Sequence, residues 1–285
     1  MRIDGLATIA GHFDGMLIDQ FGVIHDGQEL YPGTLRVLSE LKARGIPVAV
    51  ITNSGKRAEA NRRRLVKMGV PRDCFADAVS SGEVAYQSLF PSPSWGGVRG
   101  GGWLPVELVD PHPCPSPQGG GKLKAYLIGK DGEDYGFDGI TFVDDPRDAE
   151  VILILGSNAP ATSLEQYREL LKGLTLPAIC CNPDKLMLTR HGLMPAPGAI
   201  ASLYEEMGSK VTWIGKPYPA IYEHAAKRIG NPKRILCIGD SAEHDVAGGR
   251  NAGFATLLVM TGVSAGLEPA TLDPRPDTWM EAFTW

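Results

Sequence analysis

The chain has no apolar run long enough to cross a bilayer. Its longest, Val151 to Leu155 and Ala255 to Met260 with one threonine inside it, are strand-length, far short of the roughly 20 residues a helical span needs. Basic residues are not in excess: 28 Lys and Arg face 33 Asp and Glu, a net charge of -5. The cationic surface that holds nucleic acid or anionic lipid is therefore not expected. The first residues carry Asp4 and Asp14 in place of a long apolar core, which argues against a secretory leader and for a cytoplasmic protein. Cysteine is scarce. The five (74, 114, 180, 181 and 237) show no metal-type spacing, and neighbours such as Cys180 and Cys181 are poor disulfide partners. Neither a zinc site nor a disulfide framework is expected.

What is present is ordinary globular material, 43% hydrophobic and 21% charged. A length of 285 residues suits one large domain or two ordinary ones. Apolar strand-like runs alternate with amphipathic helical segments, the pattern of a mostly parallel sheet with helices on its faces. Strands are expected at 16–19, 46–51, 125–128, 140–143, 151–155, 178–181, 211–214, 235–238 and 256–260. Helices are expected at 34–44, 164–171, 219–229 and 246–252, with an Arg-rich helix after an N-cap at Ser54 and ending at Gly69. The middle of the chain reads as a second α/β module set into the first, giving a discontinuous core (1–82 and 183–285) and an inserted domain (83–182). Residues 91–122 fit neither module. Their density of Gly and Pro rules out a helix or an inner strand and reads as a flexible insertion. Within it, Gly119-Gly120-Gly121-Lys122 lacks the Ser or Thr and the upstream glycine of a phosphate-cradling loop. His112 and Cys114 are too close together, and too alone, for zinc.

Four short stretches end or follow expected strands. In Met16-Leu-Ile-Asp-Gln-Phe-Gly-Val-Ile-His-Asp-Gly27, an apolar run ends in Asp19, which puts a carboxylate at the C-terminal mouth of a buried strand. Ile51-Thr52-Asn53-Ser54 supplies hydroxyls, an amide and helix-start N–H groups suited to phosphoryl oxygens. Gly215-Lys216-Pro217 offers a point charge able to neutralise a carboxylate and a phosphate. Gly239-Asp240-Ser241-Ala242-Glu243-His244-Asp245 follows an apolar strand with paired acids able to hold Mg²⁺, a cation that prefers oxygen ligands. Taken singly, each has a plainer reading: a capped turn, a helix N-cap, a surface turn. Two further features read as surface. The basic residues of Arg57 to Lys67 lie all round a helix without aromatics, as on a solvated face, and His224 and His244 read as helix-surface histidines.

In this order and spacing the four stretches resemble the motifs of the haloacid dehalogenase superfamily. The insertion between Thr52 and Lys216 is similar to the α/β cap of its subclass IIA, which holds NagD-like and para-nitrophenyl phosphatase-like proteins. Cys181-Asn182-Pro183-Asp184, Gly198-Ala199-Ile200 and Asn251-Ala252-Gly253 look like that branch too, as does an aromatic at Phe21, found in several of its bacterial members. The resemblance implies a Rossmann-like three-layer core with a parallel sheet, plus the cap, which in the family often joins two copies as a homodimer. It implies Asp19 as nucleophile and metal ligand. The Phe21 backbone carbonyl and Asp240 are further Mg²⁺ ligands, and Asp245 a ligand or an orienting group. Thr52, Asn53, Ser54 and Asn182 bind phosphate or substrate, and Lys216 offsets the negative charge. The implied substrate is a small phosphorylated metabolite, without nucleic acid or membrane as partner.

One position departs from the pattern. The family's second motif aspartate, the general acid/base, is Phe21 here, and a phenyl ring cannot transfer a proton. Loss of such a group typically costs ~10²- to 10⁴-fold in rate. His25 and Asp26 follow closely, either as a substitute acid or as a turn closed by Gly27. Three readings stay open: a phosphate monoester hydrolase, an impaired phosphate- or metabolite-binding protein, and another hydrolytic chemistry of the superfamily. Asp240 and Asp245 count against the dehalogenase form of the last, which has no use for Mg²⁺.

Overall fold

The computed structural model describes residues 1–90, 122–189 and 192–285. The expected insertion, apart from Lys122, lies outside the described residues, and so do His112 and Cys114. In chain order the elements begin with β1 (Gly15–Asp19), α1 (Thr34–Ala43), β2 (Val48–Thr52), α2 (Ala58–Lys67), β3 (Asp77–Ser80) and α3 (Ser81–Leu89). Next come β4 (Lys124–Ile128), β5 (Thr141–Phe142), β6 (Val151–Ile154), α4 (Leu164–Leu171), β7 (Ala178–Cys180), β8 (Leu186–Thr189), β9 (Gly192–Pro195), α5 (Pro197–Glu206) and β10 (Val211–Trp213). The last are α6 (Pro219–Arg228), β11 (Ile235–Gly239), α7 (Ala247–Asn251), β12 (Ala255–Val259) and β13 (Trp279–Met280). Among the described residues, no helix is long and apolar enough to cross a membrane.

The chain divides into two compact units. The first comprises Met1–Thr52, Ala58–Ser80 and Lys216–Trp285; the second, Asn53–Arg57 and Ser81–Gly215. In the first, six parallel strands run in the order β13-β12-β11-β1-β2-β3. Every residue of β1, β2 and β11 is buried, as near-continuous apolar strands are when both sheet faces are covered. On one face, Met16, Ile18, Val50 and Ile238 pack with Leu38 and Leu41 of α1 and Leu65 of α2. Residues of the other parity point the opposite way. There α6 lies against β2 and β3, with Ile221 and Tyr222 buried. Strand order reverses beside β1: the chain runs outward through β2 and β3, then resumes on the other side with β11. That reversal is a topological switch point, and it opens a crevice at the carboxyl ends of the strands.

The second unit has its own parallel sheet, β10-β7-β6-β4-β5, and an antiparallel hairpin, β8-β9. Val151, Leu153 and Ile179 face Ala85 of α3 with Tyr135 and Phe137. Ile152, Ile154 and Cys180 face Tyr167 and Leu171 of α4 and Ile200 and Tyr204 of α5.

Three expectations need correcting. Val211–Trp213, read as a core strand, pairs with β7, so the compact second unit runs to Gly215 where 182 was expected as its limit. A three-residue apolar run carries no label for the sheet it will join; only its partners decide. Ser54 does not cap the Arg-rich helix, which starts at Ala58. Its Oγ accepts from the Lys56 N–H (3.3 Å) within the second unit. Finally β3, α3, the hairpin, α5 and β13 were not anticipated. Several are short, and the hairpin and α5 lack the alternation or clean 3.6 period that betrays an element.

Candidate active site

The first unit gathers its chemistry at the carboxyl ends of β1, β2 and β11. Register explains why. Ile18 pairs with Ile238 and Asp19 with Ile51, so Asp19, Thr52 and Asp240 all leave the sheet at the same edge. Lys216 reaches them from the loop before α6. Its Nζ lies 2.7 Å from Asp19 Oδ1 and 2.8 Å from Asp245 Oδ1. All these groups are buried; Lys216 is 4% exposed and Asp245 2%. One carboxylate oxygen from each of Asp19, Asp240 and Asp245 lies within 4.8 Å of the others.

Backbone amides hold the acids in place. Asp19 Oδ1 accepts from the Gln20 N–H at 2.7 Å and Asp245 Oδ2 from the Ser241 N–H at 3.0 Å. Asp240 Oδ2 accepts from the Val263 N–H at 2.7 Å. Two glycines make room for Asp240. Gly22 (φ 90°) and Gly262 (φ 51°) have left-handed backbones, and a Cβ on either would collide with the Asp240 carboxylate.

Charge does not balance here. Burial pushes the Asp19 carboxyl well above the usual range, against the Lys216 ammonium, and Asp245 and Asp240 push it the same way. Burial, with Asp245 next, raises Asp240 to about 6. Burial opposes the Lys216 charge, yet Asp19 and Asp245 outweigh it and keep the ammonium protonated. Three buried carboxyls against one ammonium leave negative charge that a further cation would offset. The donors are all hard oxygens, so the residues fit Mg²⁺. Both Asp245 oxygens already accept, one from Lys216 and one from Ser241, which suits the orienting role.

Residues 16–94 match the family model described as haloacid dehalogenase-like hydrolase, and residues 213–284 the HAD-hydrolase-like model. The two matches carry every residue of this cluster. The chain belongs to the haloacid dehalogenase-like hydrolases. It is similar to chronophin of Bos taurus, 25% identical over 282 residues, covering 93% of this chain and 87% of chronophin. Glycerol-3-phosphate phosphatase of Gallus gallus is 27% identical over 277 residues, with 92% and 85% covered. In structure the chain resembles a haloacid dehalogenase-like hydrolase of Brucella suis 1330, with a TM-score of 0.78, 25% identity and 99% and 100% covered.

In this haloacid dehalogenase-like hydrolase the structure brings Asp19, Thr52, Lys216, Asp240 and Asp245 into one unit. Asn53, Ser54 and Asn182 belong to the other. There the Asn53 amide donates to Asp184 Oδ1 at 2.9 Å, and Asn182 Oδ1 accepts from the Asp184 N–H at 3.0 Å.

His25 and Asp26 are turn residues. Asp26 Oδ1 accepts from the Gln28 and Glu29 N–H groups at 2.8 and 2.9 Å. His25 is 1% exposed, and its Nδ1 accepts from the Gly27 N–H at 3.0 Å. With Nδ1 accepting, the neutral ring carries its proton on Nε2, 3.0 Å from the Gln20 amide. Turning that amide over lets Gln20 Oε1, buried and otherwise unpartnered, accept this proton. Both ring nitrogens are then committed, and burial pushes the imidazole down to about 4.

The loop after β12 went unnoticed in the sequence. Thr261 Oγ1 donates to the Gly22 carbonyl, and Ser264 Oγ to the Asp240 carbonyl. The available signal was a Thr-Gly pair following an apolar strand, the same placement as the other motifs.

Proposed function

We propose that this hydrolase cleaves small phosphate monoesters with Mg²⁺ as cofactor, through an aspartyl-phosphate on Asp19. The observation that carries the reading is a buried carboxylate, ion-paired to Lys216 and flanked by Asp240 and Asp245, at the switch point of a parallel sheet. Relatives named as phosphatases, including one for glycerol 3-phosphate, support it.

Lys216 holds Asp19 in one orientation and, as a fixed ammonium, offsets the charge of an approaching phosphoryl group. Thr52, at the same sheet edge, supplies a hydroxyl to a phosphoryl oxygen. Asp19, Asp240 and the Phe21 carbonyl would hold Mg²⁺, which supplies positive charge against the substrate's oxygens. Asp19 attacks phosphorus as a carboxylate nucleophile. Hydrolysis of the resulting acyl phosphate returns the carboxylate.

A panel of phosphate esters assayed with Mg²⁺ tests the reading. Turnover well above that of Asp19→Asn is expected; equal rates would overturn it. The second reading, a binding protein that kept the site and lost its acid, rests on Phe21. It predicts tight phosphate binding with no turnover above that control.

A further inference from the structure

The loop after β12 breaks a local rule. Thr261 stands at the N-cap of a single helical turn, Gly262–Ser264, where a threonine oxygen ordinarily accepts from the second or third N–H of the turn. Here the Thr261 side chain makes no such bond. The second N–H, that of Val263, goes to Asp240 Oδ2 at 2.7 Å, and the third, that of Ser264, to the Thr261 carbonyl at 3.0 Å. The Thr261 hydroxyl instead donates to the Gly22 carbonyl. The buried Ser264 hydroxyl donates to the Asp240 carbonyl, and the Tyr31 hydroxyl oxygen accepts from the Gly262 N–H. One turn of chain gives up its own cap to grip the loops after β1 and β11. A local preference broken in favour of distant contacts is the mark of a functional position.

Those two loops carry residues proposed to hold Mg²⁺. Asp240 offers a carboxylate, which the Val263 N–H fixes directly and Ser264 steadies through the main chain. Phe21 offers its main-chain carbonyl alone, because a phenyl ring has no oxygen, so the aim of one peptide plane decides that ligand. In a trans peptide the C=O and the following N–H point opposite ways. The N–H that follows the Phe21 carbonyl is that of Gly22, which donates to the His25 carbonyl at 2.9 Å. The carbonyl on the far side of Gly22 is the one Thr261 holds. A glycine, the residue with most freedom to rotate, is thereby pinned on both sides. A Cβ on Gly262 would come within 2.7 Å of Gly22 Cα and within 1.8 Å of Asp240 Oδ2, so Gly22, Gly262 and Asp240 pack directly on one another. Resting on the Mg²⁺-dependent reading above, we infer that Thr261 and Ser264 are positioning residues for the metal: the Thr261 hydroxyl aims the Phe21 carbonyl through Gly22, the Ser264 hydroxyl steadies Asp240, and together they set the affinity for Mg²⁺. That ion demands near-ideal octahedral geometry, so a ligand that swings by a few tenths of an ångström is felt.

Calorimetric titration of the full chain with MgCl2, without substrate, tests this. Thr261→Val removes the hydroxyl and keeps the shape, and should weaken Mg²⁺ binding about 10- to 100-fold. Thr261→Ser keeps the hydroxyl and should bind as the wild type does. Ser264→Ala acts at the other ligand and should also lose about tenfold or more, which keeps the test decisive if Thr261→Val fails to fold. Thermal unfolding in metal-free buffer separates positioning from support. Hydroxyls that serve stability alone would lower the metal-free melting temperature and leave the Mg²⁺ affinity of the folded variants unmoved, and that result overturns the inference. Asp240→Asn distinguishes the two readings. A wild type that binds no Mg²⁺, or binds it no more tightly than Asp240→Asn, overturns the Mg²⁺ reading and this inference with it. A wild type that binds through Asp240, with Thr261→Val and Ser264→Ala unmoved, overturns the inference alone.

Discussion

The two units are built alike and differ in the side chains at their sheet edges. Each is a parallel sheet with apolar side chains packed on both faces. At the carboxyl edge of the first sheet, β1, β2 and β11 lead into Asp19, Thr52 and Asp240. The corresponding edge of the second leads from β4, β6 and β7 into Gly129, Leu155 and Cys181. Parallel pairing aligns the strand ends in both, but only the first edge gathers buried charge, held by amides and offset by Lys216. Fold supplies the place and side chains supply the chemistry.

If that contrast is right, perturbing the first unit should remove chemistry and perturbing the second should remove stability. The largest effect is expected for Asp19→Asn, a loss of at least about 10³-fold in kcat/KM with little change in melting temperature. Activity assays paired with thermal unfolding check this, and a large melting shift would blur the contrast. Lys216→Met comes next and should affect both properties. It leaves Asp19 and Asp245 buried without their ammonium, at a cost of about 3–5 kcal/mol, and activity falls about 10²- to 10³-fold. Urea unfolding gives the first number and kinetics the second.

Leu153→Ala, in the centre of the second sheet at 0% exposure, should cost about 2–5 kcal/mol. Asp19 chemistry in the protein that remains folded should be unchanged. Active-site titration per folded molecule would expose any coupling between the units. The smallest effect belongs to His25. Its folded value, about 4, lies below the roughly 6.5 of an unfolded histidine. The unfolded chain therefore takes up the proton first, and this contribution to stability is present above about pH 6.5 and lost as pH falls toward 4. His25→Gln should reduce the acid-induced drop in melting temperature between pH 7 and pH 5 by a few degrees. A drop unchanged in that variant would place the titration elsewhere.

Much of this was legible without coordinates. Asp19, Thr52, Lys216 and Asp240 each follow an apolar run or its turn, and the repeat of that placement marks one sheet edge. Less legible was Asn53, one residue past Thr52, because nothing in Ile-Thr-Asn-Ser says that the chain leaves the first unit between Thr52 and Asn53. His25 illustrates the same limit. As a titratable residue close to Asp19 in sequence it invites a catalytic reading, and only its two ring contacts, to Gly27 and Gln20, assign it to the turn.

The amino-acid order by itself determined the α/β class, the strand-end placement of Asp19 and its charged companions, and a phenyl ring at position 21. These follow from local physics: apolar periodicity, strand-end carboxylates, and a side chain that cannot carry a proton. Tertiary structure alone decided that Val211–Trp213 joins the second sheet. Packing alone decided that Asp245 braces Lys216 while Gly22 and Gly262 make room for Asp240. Each of these depends on contacts between residues far apart in the chain, and a linear pattern holds no record of which distant surface a side chain will meet.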